Sequence, residues 1–445
     1  MNKEKKQEII PIGSAIKSMF KEGYCLDLFK QDFIAGLIVS LVALPLAMAF
    51  SIAVGLPPQH GLITAIIAGF IVPFLGGSRV QVSGPTAAFI VIIAPLVLTH
   101  GLKGLIIITI MSGLLLILLG MARVGRYIEQ VPHVVVIGFT AGIAVVIGTL
   151  ALNDLLGLHI HMSTHSYVSS LVLIAKKIPT LYWPECFVGM LSLAIMCTIY
   201  RFFPKLPSPL VGIGIGAIAT YFFQMFGRSI STIGTHFSYT LSDGTIGHGI
   251  PPLIPTLSQA FTSFSWPQSY ELKMFFIPAC LVAALSALES LLSAVVADKM
   301  TRKKHDPDAE LIGIGIGNIL SGFASGIPAT GAIARTAANI HNGAKTPIAA
   351  SLHAVFILLY VLLLTPVLSF IPMAALAALL VCVAYHMSQY QEFIHIIKRG
   401  NKWDSIVLLA CFLLTVFKDM IAGVSIGIVL ACIFHFIEKG KKVQK

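Results

Sequence analysis

The chain has 445 residues, of which 56% are hydrophobic and only 11% charged, and its mean hydropathy is +0.89. Soluble domains run near 45–50% apolar and about 25% charged, so this composition excludes a soluble enzyme and a disordered chain and points to one polytopic membrane domain. A net charge of +11 would raise nucleic acid as a partner in a soluble protein, but here Lys and Arg cluster between apolar runs, as in loops held on the cytoplasmic side, and no nucleic-acid partner is expected.

In chain order, segment 1–31 lacks an apolar core followed by a small-residue cleavage site, so it is read as a cytoplasmic N-terminal segment and not a cleaved signal. A stretch of about 20 apolar residues crosses the hydrocarbon core as a helix. Such stretches fall at 33–54, 62–75, 85–98, 104–121, 131–150, 186–203, 210–226, 274–297, 311–323, 329–340, 347–364, 369–384, 406–416 and 421–437. Those at 62–75, 85–98, 311–323 and 329–340 are short or glycine-rich. The pattern predicts an all-α membrane protein with 14 transmembrane segments.

Charge tests that count. With the N-terminus inside, 22 of the 30 Lys and Arg fall on the cytoplasmic side and 6 on the other, while Arg79 and Arg335 lie in the broken segments described below. The alternation expects both termini in the cytoplasm, with 32–439 as the transmembrane domain and 440–445 as the tail. The polar stretches 153–184 and 227–273 are expected outside. Residues 386–404 have apolar positions at helical spacing and a basic end, as in an amphipathic helix on the inner surface. The Lys-rich inner loops suit a bacterial inner membrane.

Fourteen segments divide into two repeats, about 32–226 and about 274–437. The seventh carries VGIGIG (211–216) and the fourteenth AGVSIG (422–427). More informative is the third segment of each half: RVQVSGPTAAFIVI (79–92) and FASGIPATGAIARTAANI (323–340). Each has Ser-Gly and Pro ahead of a helix-forming run, which predicts a short strand followed by a half-helix. Proline suits a helix's first turn, and non-helical backbone at membrane depth is tolerated only when buried in protein or lining a wet cavity. Seven being odd, the halves insert with opposite orientation. The half-helix N-termini, near 85–88 and 329–332, then approach each other at the midplane, where free N–H groups and partial positive charge suit an anion. Paired interrupted segments point to a transporter's binding site; the competing reading is that Gly and Pro only permit close helix packing.

A charge at the centre of a membrane helix costs about 2.5–3.5 kcal/mol on insertion scales, which singles out Glu289 and Arg335. Glu289 lies mid-segment with Ser286, Ser290 and Ser293 beside it. It can serve as a proton or cation site, or pair statically with Arg335. Arg335 can attract an anion, or bind backbone carbonyls. Arg79 can snorkel or draw anions to the entrance, Lys418 and Asp419 read as interfacial, and Phe50 can line a cavity or simply pack. The seven Cys are scattered without CxxC spacing and no HExxH occurs, so no metal, cofactor or disulfide framework is expected. No cluster of His, Asp or Ser stands at catalytic spacing, so no catalytic residues are assigned and an enzyme is not expected.

Four runs carry a resemblance: DFIAGLIVSLVALPLAMAFSIAVGLPP (32–58), GSRVQVSGPTAAF (77–89), ALESLLSAVVADKMT (287–301) and GNILSGFASGIPATGAIARTAANIHNGAKTP (317–347). Together they resemble the SulP/SLC26 family of anion transporters over nearly the whole chain. The resemblance implies a 7+7 inverted-repeat fold in which a core domain (segments 1–4 and 8–11) moves against a gate domain (5–7 and 12–14) like an elevator. By motif position, Phe50, Thr86, Ala87, Thr330, Gly331 and Ala332, with Arg335, would surround the anion. Glu289 falls at the acidic position associated with H+ or Na+ coupling, and a homodimer in membrane lipid is implied. Two departures stand out: Leu46 occupies a position where many members have a polar residue, and the sequence ends at Lys445, so the family's STAS domain is not expected. The leading expectation is sulfate:H+ symport. Na+-coupled bicarbonate transport, H+-coupled C4-dicarboxylate transport, a nucleobase–proton symporter of the same fold and an uncoupled anion channel are the alternatives.

Overall fold

The computed structural model describes residues 12–128, 132–160, 167–203, 206–240, 244–252, 267–418 and 420–443. The start of the N-terminal segment, Lys205, Asp419 and the last two tail residues lie outside them.

The helices are α1 (Ser14–Glu22), α2 (Leu26–Ala53), α3 (Pro58–Leu75), α4 (Ile90–Met121), α5 (Gly125–Ile128), α6 (His133–Leu155), α7 (Tyr167–Lys177), α8 (Trp183–Phe202) and α9 (Ser208–Met225). The strand β1 (Ser83–Gly84) and a 3-10 turn (Ala87–Phe89) precede α4. Then come α10 (Ile233–His236), β2 (Ser238–Thr240), β3 (Ile246–His248), α11 (Ser269–Thr301), α12 (Pro307–Phe323), β4 (Thr330–Gly331), α13 (Ile333–His341) and α14 (Pro347–Leu368). The chain continues through α15 (Met373–Met387), α16 (Tyr390–Arg399), α17 (Lys402–Phe417) and α18 (Met420–Val443). Helix dominates because a segment in hydrocarbon must satisfy its backbone internally.

Nine helical stretches among the described residues are long and apolar enough to cross a membrane. One of them, Ala87–Met121, merges two predicted segments, but Gly101 has φ 64° and ψ −168° and breaks the helix between them. The helices α12 and α17, of 17 and 16 residues, and the half-helix α13 are shorter. The stretches expected as plain loops are partly ordered: α7 lies within 153–184, and α10 with the β2–β3 hairpin lies within 227–273. Helix α2 starts at Leu26, ahead of its apolar core, because no Gly or Pro interrupts the polar turns before Phe33. Within 386–404, α16 forms and buries no side chain.

The membrane helices pack in two groups. In the first, α12 lies along α3 and α4, α14 along α2 and α3, and α11 along α4 and α13. In the second, α15 and α17 lie along α6, α8 against α9 and α15, and α18 against α17. The groups meet where α2 touches α9 and α15. Small residues allow close crossings, as between α4 and α12: a Cβ added to Gly113 would lie 2.6 Å from the Gly315 carbonyl, and one on Gly315 would lie 2.6 Å from that of Gly113. Backbones approach this closely in membranes because dispersion, not hydrophobic burial, drives helix association.

Candidate functional site

Both broken segments lie in the first group, and their strands join. Ser83 pairs with Gly331 and Gly84 with Thr330, antiparallel. The Ala332 N–H extends the ladder to the Val82 carbonyl at 2.9 Å. In return the Val82 N–H donates to Thr336 Oγ1 at 3.0 Å. The chain that leaves β1 enters the 3-10 turn at Ala87, and the chain that leaves β4 enters α13 at Ile333. Each half-helix therefore starts within three residues of the strand pair. Among the described residues, the N–H groups of Ala87, Ala88, Ile333 and Ala334 donate to no protein acceptor, as expected of first-turn donors.

Two charged side chains meet at the first start. The Thr86 hydroxyl donates to Glu289 Oε2 at 2.8 Å, joining the first break to α11. Arg335, 3% exposed, donates from Nη2 to the Pro85 carbonyl at 2.6 Å. Its Nη1 is buried without a protein partner among the described residues. Gly84 has φ 149°, and a Cβ there would lie 2.9 Å from that Nη1, so a side chain at 84 would push against the guanidinium. No ion pair joins Arg335 to Glu289 among the described residues. The static pairing weighed from the sequence does not form, and the guanidinium instead takes the carbonyl of the opposite break.

The other expected residues divide. Phe50 and Ala87 are buried in one apolar cluster. Thr330 turns into α11, its hydroxyl donating to the Ser286 carbonyl at 2.9 Å. The Gly331 N–H donates to Ser290 Oγ at 2.9 Å. The amides of Gly331 and Ala332 are thus already used by protein, and the free donors of the second half-helix begin one residue later. Of the serines around Glu289, Ser290 and Ser293 serve the second break, Ser293 donating to Thr336 Oγ1 at 3.1 Å.

Several residues that hold the site escaped the sequence reading. Glu310 in α12 accepts the N–H groups of Gly77 and Ser78, both at 2.9 Å, and Gln81 Nε2 at 2.7 Å. Gln81 Nε2 also reaches Ser290 Oγ at 3.2 Å. Asn318 donates to the Ala329 carbonyl at 3.0 Å and accepts its N–H at 2.6 Å. Asp32 accepts the N–H groups of Lys345 and Thr346 and the Thr346 hydroxyl. His353 lies buried in α14 with Nδ1 2.9 Å from the Ala350 carbonyl. The available signal was a carboxyl or amide inside an otherwise apolar or glycine-rich run, as in PDAELIGIGIGN (307–318).

This arrangement coincides with a known family. The sulfate permease family matches residues 29–411, and the chain belongs to it. A Bacillus subtilis (strain 168) protein named "Putative sulfate transporter YvdB" is 38% identical over 415 residues, which cover 93% of this chain and 74% of that protein. The bicarbonate transporter BicA of Picosynechococcus is 27% identical over 434 residues, covering 93% of this chain and 71% of that protein. The solved transmembrane domain of a cyanobacterial BicA superposes with a TM-score of 0.74 at 26% identity, covering 90% of this chain and 98% of that one. The chain is an integral, multi-pass membrane protein.

Proposed function

We propose that this chain is a secondary active transporter of a small inorganic anion, most simply sulfate taken up with H+. The observation that carries the reading is the pair of half-helix starts: free N–H donors on each, Arg335 behind the first and Glu289 hydrogen-bonded to Thr86 beside it. Donors and dipoles at two helix starts suit an anion, and membership of the sulfate permease family supports the substrate class. Phe50, Ala87, Thr330, Gly331 and Ala332 complete the surround, with Gly331 and Ala332 shaping the backbone while the following amides donate.

Glu289 is the coupling residue. A carboxyl in an apolar helix that keeps one hydroxyl partner and makes no direct ion pair can bind a proton when the site fills and release it afterwards. The chain crosses the membrane 14 times as two inverted repeats. The first packing group travels as an elevator against the second, since the site belongs wholly to the first. The assembly is a homodimer in lipid, in a bacterial inner membrane with both termini cytoplasmic.

Sodium-coupled bicarbonate transport is the second reading. It is favoured by the similarity to BicA and by two oxygen ligands, Thr86 Oγ1 and Glu289 Oε2, that suit a hard cation. The test is uptake of radiolabelled sulfate into proteoliposomes in sodium-free buffer, with and without an inward H+ gradient. Gradient-stimulated sulfate uptake that is lost in Glu289→Gln is expected. Gradient-driven uptake unchanged in that variant would overturn the mechanism. Bicarbonate uptake driven only by sodium would decide for the second reading, and flux indifferent to either gradient would indicate a channel.

A further inference from the structure

On the face that carries the N-terminus, α1 lies against the end of α3. The Gly13 N–H donates to the Leu75 carbonyl at 2.7 Å, and Ala15 and Met19 are buried. The last residue of α1, Glu22, presents its carboxylate to two cations from elsewhere in the chain. Arg79 Nη1 donates to Glu22 Oε2 at 2.7 Å and Nη2 donates to Oε1. Lys303 Nζ donates to Oε2 at 2.8 Å. Arg79 Nη2 also reaches Ser18 Oγ at 2.9 Å.

This is the geometry in which a guanidinium fork receives any oxyanion, with an ammonium as the second donor. The fork is built in advance. Arg79 is 15% exposed, whereas Glu22 and Lys303 are each 50% exposed. The loop beneath Arg79 is fixed by Glu310, which binds the amides of Gly77 and Ser78. Asn339 Nδ2 holds the Val80 carbonyl at 2.9 Å on the other side. Lys299, Arg302 and Lys304 surround Lys303 in sequence. Among the described residues, Glu22 is the carboxylate that pairs with Arg79 and with Lys303. The cations are therefore held by the transporter domain, and the carboxylate is delivered by a short docked helix.

We infer that Arg79 and Lys303 form a second oxyanion site, separate from the half-helix starts, which Glu22 fills as a tethered competitor. A sulfate or phosphate group arriving on this face displaces Glu22 and releases α1. A short tether gives an effective concentration of about millimolar, so the site answers to anions near that level. Arg79 stands four residues before β1, so the site lies beside the loop that leads into the first half-helix. The oxyanion group can come from solution or from a phospholipid headgroup, because the fork sees the same oxygens.

Hydrogen–deuterium exchange of the α1 peptide in the full chain tests this without a transport assay, so its outcome is independent of the proposed function. In phosphatidylcholine nanodiscs, sodium sulfate should raise exchange across 14–22 by roughly tenfold, with a midpoint at millimolar concentration, while sodium chloride at equal ionic strength should not. Glu22→Gln should show the raised exchange in sulfate-free buffer and little further response. Arg79→Gln should behave the same way. If phosphatidylglycerol nanodiscs raise exchange without sulfate, the headgroup is the source. If sulfate acts in phosphatidylcholine alone, the source is the free anion. Equal exchange in sulfate and matched chloride with no lipid effect, or wild-type protection in Glu22→Gln, would overturn the site.

Discussion

The two broken segments start from similar sequences and are supported very differently. The second is fastened by the helices around it. Asn318 binds both the N–H and the carbonyl of Ala329, Thr64 donates to the Ile327 carbonyl at 2.8 Å, and α11 takes Thr330 and Gly331. The first is fastened largely by the second. Thr336 binds the Val82 N–H, Ala332 the Val82 carbonyl, Arg335 the Pro85 carbonyl and Asn339 the Val80 carbonyl. One break acts as the frame and the other leans on it, and the leaning one carries the Thr86–Glu289 contact. The carboxyl proposed for coupling is thus attached to the segment whose backbone is held mainly by the other break.

The strongest way to break this comparison is Asn318→Ala, which leaves a buried N–H and a buried carbonyl unpaired at about 1–3 kcal/mol each. Thermal unfolding of the purified protein should show the largest drop in Tm of the variants named here. Asn339→Ala uncovers one carbonyl of the first segment, and its drop should be about half as large. Equal losses would mean that neither segment is the frame.

Arg335→Ala should come next. It removes a hydrogen bond from a charged group, about 1.5–3 kcal/mol, and should weaken sulfate binding as well as lower Tm. If affinity across several anions is unaltered while Tm falls, Arg335 only braces Pro85. Thr86→Val sharpens the point at lower cost. Loss of one neutral hydrogen bond should move stability by about 0.5–1.5 kcal/mol, yet alter the pH dependence of uptake because Glu289 loses its hydroxyl donor. Wild-type pH dependence in that variant would separate Thr86 from coupling.

The smallest effect concerns α1. Hydrogen bonds from Arg79, then from Lys303, hold the Glu22 carboxyl down at about 2, against an ordinary value of 4.5. A carboxyl lowered in the folded state contributes stability above its unfolded value and loses it as pH falls through the folded one. Docking of α1, followed by its amide exchange, should be unchanged above pH 5 and weaken progressively below about 4.5 towards 2. The pair is solvent-exposed, so high salt should blunt the response. A response centred near pH 7 would show that another group controls α1.

Hydropathy and the local chemistry of Gly, Ser and Pro were enough to place the chain in a membrane, mark both breaks and single out Glu289 and Arg335. These features follow from composition and from what one stretch of backbone can do in hydrocarbon. The partners could not be read in the same way. Thr86 and Glu289 are 203 residues apart, Arg335 and Pro85 are 250 apart, and Gln81 and Glu310 are 229 apart. No local rule says which amide at a half-helix start is already taken. Only the packed helices decide that Gly331 and Ala332 give their N–H groups to protein, that Glu310 rather than Glu289 clamps the first loop, and that Glu22 meets Arg79. Burial forces every polar group to find a partner, and which partner it finds depends on the tertiary structure.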